Sequence, residues 1–496
     1  MARSVRLEPS RTLGEFRLLC GLTTRDSTQD RIDLRSPLFS DRPGSRAFVL
    51  NTPVLAAAMQ AVSGPAMGIE MARLGGAAVL FCSQNALDEA KMVRTVKNHR
   101  AGFVEPRTVA PSLALGALHA LHRETGFSNF PVVDPTGRFL GMIGRRDYDM
   151  LAHASLAVSE RMIPRDRLDV GVEVTDLPTA HRLLVDGHQA VLPIVDREDR
   201  LLYLVFRKDI QDHFDNPAQV VDEEGRLLCL AAINTLDYEE RAPALVEAGA
   251  DALVIDSSDG HSVFQAETLE WIAARWPDLP VMGGNIITEE GFRFLVAHGA
   301  RAVKVGMGSG SICITQEQKG TGRGLATAIM EVAAAREQHR KTTGVHIPIV
   351  ADGGLVTGRD VVTALALGAD AVMMGRYLAR MEESPTEKVQ VGNRIMKPYW
   401  GEGSARARDW KAARYAQTAF VEGVEGLVEY AGRLRDELPR MLAKIRAAMA
   451  SAGCATLRDL HELAELELVS ALSIREGKVH DIYTAHGDGE LPDREE

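Results

Sequence analysis

Three helical stretches of this 496-residue chain end on the same pair, Gly249-Ala250, Gly299-Ala300 and Gly368-Ala369, and each then runs into an apolar stretch. Glycine after a helix adopts the left-handed backbone that closes it, and a short loop then feeds a buried strand. The pattern is one of alternating strands and helices. Strands are expected at Thr52–Met59, Ala77–Phe81, Leu228–Ile233, Ala252–Ser257, Pro280–Ile286, Ala302–Gly306, Pro348–Asp352 and Ala371–Gly375. Helices are expected near Ala66–Leu74, Asp88–His99, Tyr238–Ala248, Val263–Arg275, Glu289–Ala297, Ala326–Arg340 and Gly358–Leu367. The strands are near-continuous apolar runs, which need cover on both faces. Eight of them in this rhythm predict an α/β fold, a (β/α)8 TIM barrel. A doubly wound open sheet competes less well, because no Gly-x-Gly-x-x-Gly turn follows the first strand.

The rhythm stops near Arg100 and resumes near Leu227, so an insertion divides the barrel. The expected domains are 1–100 (strands one and two), an insertion at 101–216, and the remainder of the barrel at 217–496. Within the insertion, Phe130–Asp147 (FPVVDPTGRFLGMIGRRD) is repeated at Leu192–Asp209 (LPIVDREDRLLYLVFRKD), an offset of 62 residues. Each copy reads strand, turn, strand, then a basic–basic–acidic step into a helix. One unit this small buries little apolar surface, so the two are expected to pair. The repeat resembles a tandem CBS (Bateman) pair, about 101–155 and 159–214. That resemblance implies adenine or guanine nucleotides as ligands; a role in assembly alone is the alternative.

The net charge of −11 argues against broad adhesion to nucleic acid or membrane. No apolar run approaches the roughly 18–20 residues that span a bilayer. The N-terminus lacks a secretory apolar core. The five cysteines are scattered without a CxxC pair, which fits neither a disulfide framework nor a zinc site. A reducing cytoplasm is the expected compartment.

After the sixth strand comes Gly306-Met307-Gly308-Ser309-Gly310-Ser311-Ile312-Cys313-Ile314-Thr315. Its glycines permit close approach to a ligand. A thiol among hydroxyls and N–H groups at a strand's carboxyl end is a candidate nucleophile, although a buried, inert cysteine is the commoner case. Barrel active sites lie at the carboxyl ends of the strands. Those ends carry Asp256-Ser257-Ser258, Gly284-Asn285, Gly306 to Cys313, Asp352-Gly353-Gly354 and Gly375-Arg376. The last two turns sit where barrels bind phosphate, and Arg376 adds charge-assisted bonds. Asp352 has the two oxygens a diol needs, so the set points to a phosphorylated, hydroxyl-bearing ligand. Arg394–Trp410 lacks periodicity and reads as a long loop.

Taken together, SGSICITQE, IDSSDG, ADGG, MMGR, YWGEGSARARDW, ARY, VEGVEG and REGKVHD resemble the inosine-5′-monophosphate dehydrogenase family, over essentially the whole chain. The resemblance implies NAD-dependent oxidation of IMP to XMP, the committed step of guanine nucleotide synthesis. It makes Cys313 the nucleophile that forms a thioimidate, Thr315 the holder of the hydrolytic water, and Arg414-Tyr415 the water-activating pair on a mobile flap (about 390–425). Ser311, Asp352, Gly354, Gly375 and Arg376 are implied to hold ribose and phosphate, and Tyr399, Glu402, Gly403 and Glu422 the phosphate and base side. Asp256, Ser257, Ser258, Asn285 and Gly306 are implied for NAD. Potassium is implied at carbonyls of Gly308, Gly310 and Cys313, with Glu476, Gly477 and Lys478 from a neighbouring subunit of a homotetramer or octamer. Two departures stand out: only six residues separate Tyr415 from Glu422, short for the family's flap, and Ala412 and Ala413 precede Arg414. GMP reductase, which uses NADP, and a silent purine-nucleotide sensor built on the CBS pair are the alternatives.

Overall fold

Just past helices Tyr238–Glu247, Glu289–Ala297 and Gly358–Ala366, the residues Gly249, Gly299 and Gly368 take φ values of 93°, 100° and 114°. The next amide in each case turns back into the helix: Ala250 to the Leu245 carbonyl, Ala300 to Leu295 and Ala369 to Ala364. These bonds satisfy carbonyls that the helix end would otherwise orphan. The chain is then aimed at a strand only two residues further on.

The computed structural model describes residues 4–41, 46–99, 102–104, 106–408 and 420–478. Its centre is a closed parallel barrel of β1 (Val54–Ala56), β2 (Ala77–Leu80), β3 (Leu230–Ile233), β4 (Ala252–Ile255), β5 (Val281–Ile286), β6 (Ala302–Val305), β7 (Ile349–Asp352) and β8 (Ala371–Met374). Neighbours follow in chain order, and β2 closes the ring on β3 where Val79 and Leu80 register with Leu230 and Ala231. Every strand residue is buried except Asp352, which is partly so. Each fully buried Val, Leu or Ile contributes about 1.5–3 kcal/mol of transfer free energy. The strands are shorter than the apolar runs suggested; Asp256 and Ser257 therefore lie in the loop after β4 rather than inside it.

By internal contacts the chain divides into Met1–Arg94 with Cys229–Glu496, and Thr95–Leu228. In the second unit, Asn129–Val133, Phe139–Gly144 and Ile163–Pro164 form one sheet. Gly171–Val172, Val191–Val195 and Leu201–Phe206 form another. The two copies of the repeat meet at their turns, where Phe139 N donates to Asp199 O (2.8 Å) and Leu201 N to Gly137 O (3.1 Å). Phe139, Met142, Val195 and Leu204 make the apolar seam between them. The repeated Asp134 and Asp196 are turn residues: each carboxylate accepts from amides two and four residues on.

The loop expected from Arg394 onward is corrected in its first half. Arg394–Trp400 is β10, the middle strand of an antiparallel sheet between β9 (Val389–Val391) and β11 (Glu425–Glu429). Two residues hide its pattern. Pro398 is a poor strand former, and Lys397, polar by type, is buried.

Candidate active site

At the end of β6 the backbone turns at Gly306 with φ of 141°, and a Cβ there would stand 2.0 Å from the Asp352 carbonyl oxygen. No side chain fits, which is why glycine begins the loop. The loop is then stitched down. Gln316 Nε2 donates to the carbonyls of Met307 (3.3 Å) and Gly308 (3.0 Å), Ser309 Oγ to Asp352 O (3.3 Å) and Cys313 N to Gly310 O (3.0 Å). A short helix, Thr315–Lys319, follows directly.

The loop is also paired with the segment before β11. Ile314 N donates to Glu422 O and Val424 N to Ile312 O, both at 3.0 Å. Glu422 N in turn reaches Gly403 O (3.0 Å), and Gly401 N reaches Val424 O (3.2 Å). The described residues on either side of 409–419 are thus joined at the cysteine loop. Arg414 and Tyr415 lie outside the described residues. Before them in the chain, Arg406 in the short helix Ala405–Arg408 covers the Trp400 ring at 3.9 Å.

These elements surround a cavity of about 220 Å³. Asp256, Ser258, Asn285, Gly306, Gly308, Gly310, Ser311, Cys313, Thr315, Asp352, Gly354, Gly375, Arg376, Tyr399, Glu402, Gly403 and Glu422 all line it. Ser257 does not; its carbonyl instead accepts from Asn285 N (2.8 Å) and so braces the end of β5, which carries Asn285. Glu476, Gly477 and Lys478 do not line it either. Glu476 ends the helix Ala471–Glu476, which packs by Leu13–Glu15, and Gly477 and Lys478 follow it. Within one chain they are not part of this site.

At the mouth, Cys313 Sγ lies 3.1 Å from Thr315 Oγ1, which donates to Glu422 Oε2 at 3.1 Å. Thr315 and Glu422 are 1 % and 3 % exposed, whereas Cys313 is half-buried and faces the cavity. Lys319 Nζ stands 3.7 Å from the other oxygen of Glu422. The second cysteine near the barrel's upper end, Cys82, is fully buried. Burial, with the Asp256 carboxylate nearby, pushes its thiol well above the ordinary range, so it stays protonated and inert.

At the floor, Asn285 Nδ2 donates to Gly306 O (2.8 Å) and Asp352 Oδ2 (2.9 Å). Lys304 Nζ donates to Asp352 Oδ2 (3.0 Å) and to Asn285 Oδ1, and lies 3.7 Å from Asp256 Oδ1. On the wall, Glu402 accepts from Gln60 N (2.7 Å) and the Ser83 hydroxyl, and Trp400 Nε1 donates to Gln60 Oε1 (2.9 Å). Burial pushes the Tyr399 phenol far above its usual value, with the Ser311 hydroxyl as its partner. It therefore meets a ligand as a neutral hydroxyl.

Sequence reasoning missed Lys304, Gln60, Ser83 and Lys397. For Lys304 a signal existed, since a lysine inside the apolar run Ala302-Val303-Lys304-Val305 is rarely buried without a partner. Lys397 anchors the sheet that carries Tyr399 and leads into Glu402. The residue is 1 % exposed, and its ammonium donates to the carbonyls of Met381 (2.6 Å) and Ser384 (3.0 Å). Burial pulls its pKa down to about 8. An unfolded lysine titrates near about 10.4, so between those values the unfolded chain holds more protons and stability rises with pH. Relative to Lys397→Met, the unmodified chain is expected to gain on the order of 1 kcal/mol as pH goes from about 8 to about 10. Urea unfolding of both across that window checks it; a flat difference would count against the assignment.

A family model described as "IMP dehydrogenase / GMP reductase domain" matches residues 18–480. The chain is 42% identical over 487 residues to the inosine-5′-monophosphate dehydrogenase of Tritrichomonas foetus, covering 96% of each chain. It is 36% identical over 450 residues to that of Escherichia coli (strain K12), covering 88% of this chain and 90% of the other. Among solved structures, a cysteine-to-alanine variant of GMP reductase from Trypanosoma brucei, in complex with guanosine 5′-monophosphate, superposes with a TM-score of 0.82 at 28% identity. That match covers 96% of this chain and 99% of the other. With a cysteine loop at the mouth of a closed barrel and these matches over nearly its whole length, the chain belongs to the IMP dehydrogenase / GMP reductase family.

Proposed function

We propose that this chain oxidises IMP to XMP with NAD through a covalent intermediate on Cys313. The observation that best supports the reading is the line Cys313 Sγ, Thr315 Oγ1, Glu422 Oε2 at the mouth of the cavity, with Asp352, Asn285 and Asp256 at its floor. The Cys313 sulfur, giving up its proton, adds to C2 of the purine while the C2=N3 π pair moves onto N3, which makes that carbon tetrahedral. A hydride then leaves C2 with its electron pair, which turns the C–S linkage into a thioimidate. NAD supplies the acceptor for that hydride. Water next adds to C2, gives up a proton, and the C–S bond breaks with its electrons returning to sulfur, releasing XMP.

Asp352 binds the ribose diol, while Ser311, Gly354, Gly375 and Arg376 hold ribose and phosphate. Tyr399, Glu402 and Gly403 complete the phosphate and base wall. Asp256, Ser258, Asn285 and Gly306 form the nicotinamide side, with Ser257 bracing Asn285. The donor set fits: buried carboxylates and an amide face a cavity, as hydroxyl-bearing ligands require. For potassium, the carbonyls of Gly308 and Gly310 each accept one hydrogen bond, which leaves a lone pair for a cation. Cys313 contributes a third carbonyl, and Glu476, Gly477 and Lys478 come from a neighbouring copy in a homotetramer or octamer. Thr315 holds the hydrolytic water, and the Glu422 carboxylate behind its hydroxyl gives the proton a way out. The inserted Thr95–Leu228 unit is read as the CBS pair, with adenine or guanine nucleotides as ligands.

Incubation with IMP, NAD and potassium, following NADH and XMP, tests the reading. GMP-dependent NADPH consumption without IMP oxidation moves the assignment to the reductase. Tight purine-nucleotide binding without turnover in either direction moves it to the sensor. The Thr315-Gln316-Glu317 and Arg414-Tyr415 sequences and the dehydrogenase names of the 42% and 36% relatives favour the first outcome. Arg414→Ala is expected to slow hydrolysis by about 10²-fold while sparing hydride transfer, so that covalent enzyme–XMP accumulates. Intact-protein mass after a single NADH burst reads this directly; a normal burst with no adduct would sink the Arg414 role.

A further inference from the structure

The cations lining the cavity, among the described residues, are Lys304 and Arg376. Arg376 is exposed just past the end of β8. Lys304 is 2 % exposed at the floor, and nothing in the proposed reaction uses it. From β6 its ammonium reaches groups carried by three other strands or the loops that follow them. These are Asp352 Oδ2 at the end of β7 (3.0 Å), Asn285 Oδ1 in β5, and Asp256 Oδ1 just after β4 (3.7 Å). Asn285 Nδ2 also donates to Asp352 Oδ2 at 2.9 Å. One positive charge therefore stands between two carboxylates and leaves the three ionic groups with one net negative unit.

That balance matters because the cofactor changes charge here. On the reading above, on which this inference rests, the nicotinamide ring arrives as a cation beside Asp256 and Asn285 and becomes neutral on taking the hydride. We propose that Lys304 is a positioning residue that sets the charge of the floor, holding the Asp352 and Asp256 carboxylates together and limiting the site's preference for the oxidised over the reduced cofactor. Without the ammonium, one more unit of negative charge faces the ring in a poorly solvated cavity, and a cation gains more from it than a neutral ring does. With Lys304 present, the two forms bind more nearly alike.

The test uses the full chain carrying Cys313→Ala, loaded with IMP so that chemistry does not run. NADH affinity is read from its fluorescence and NAD affinity by competition. Lys304→Met is expected to raise the ratio Kd(NADH)/Kd(NAD) by about tenfold or more, and Lys304→Arg to return it to the parent value. A merely structural role would weaken both forms together; an unchanged ratio overturns the proposal. Should Lys304→Met not fold, Asp256→Asn removes one negative charge instead and is expected to move the ratio the opposite way, and no movement again overturns it. If the parent binds neither cofactor form in the presence of IMP, the nicotinamide reading falls and this proposal falls with it. Binding of both forms with a ratio blind to these variants defeats the proposal alone.

Discussion

Cys313→Ala is expected to lower NADH formation from IMP by about 10⁴-fold or more while IMP still binds. The requirement is stereoelectronic: a hydride cannot leave an sp² purine carbon, and on the proposed route the sulfur is what makes C2 tetrahedral. Cys313 is the half-buried cysteine that lines the cavity; Cys82, Cys229 and Cys454 are buried and Cys20 is exposed. The hydroxyl beside the sulfur, Thr315 Oγ1 at 3.1 Å, already donates to Glu422. Single-turnover absorbance of NADH and equilibrium IMP binding together check the prediction. Turnover within about tenfold of the parent would exclude the covalent route.

The second large effect is expected at Asp352, where binding and stability fail together. Its Oδ2 accepts from Lys304 (3.0 Å) and from Asn285 (2.9 Å). Asp352→Ala removes the proposed diol acceptor and leaves a buried ammonium without its nearest counter-charge. Breaking a buried pair in that way costs about 3–5 kcal/mol. Lost charge-assisted bonds to the ribose add about 1.5–3 kcal/mol, or roughly 10–10² in IMP affinity. Asp352→Asn keeps the shape and should lose less stability but still bind IMP poorly. Urea unfolding alongside calorimetric IMP titration separates the two costs. Parent-like IMP affinity in Asp352→Ala would show that another group holds the sugar.

Local chemistry made some of this molecule readable before folding. The Gly-Ala steps announce closed helices because only a residue free of Cβ strain takes a φ of 93–114° cheaply. Continuous apolar runs announce strands covered on both faces. By contrast, β10 escaped notice, because burial of Lys397 depends on the carbonyls of Met381 and Ser384, which no spacing rule reveals. Glu402 is implied for the site by the family resemblance, but its partners Gln60 and Ser83, more than 300 positions away in the chain, are not legible in the sequence.

The sequence by itself determined the barrel, its interruption and the identity of the loop residues around Cys313, since each rests on periodicity, glycine chemistry or a motif within a few residues. Only the tertiary structure decided which groups touch. It put Glu422 behind Thr315, set Lys304 between Asp352 and Asp256, turned Ser257 to brace Asn285, and left Glu476, Gly477 and Lys478 away from the cavity of their own chain. The physical reason is closure of the barrel. It brings the carboxyl ends of distant strands to one face, and the charges that meet there are set by three-dimensional neighbours rather than by neighbours along the chain.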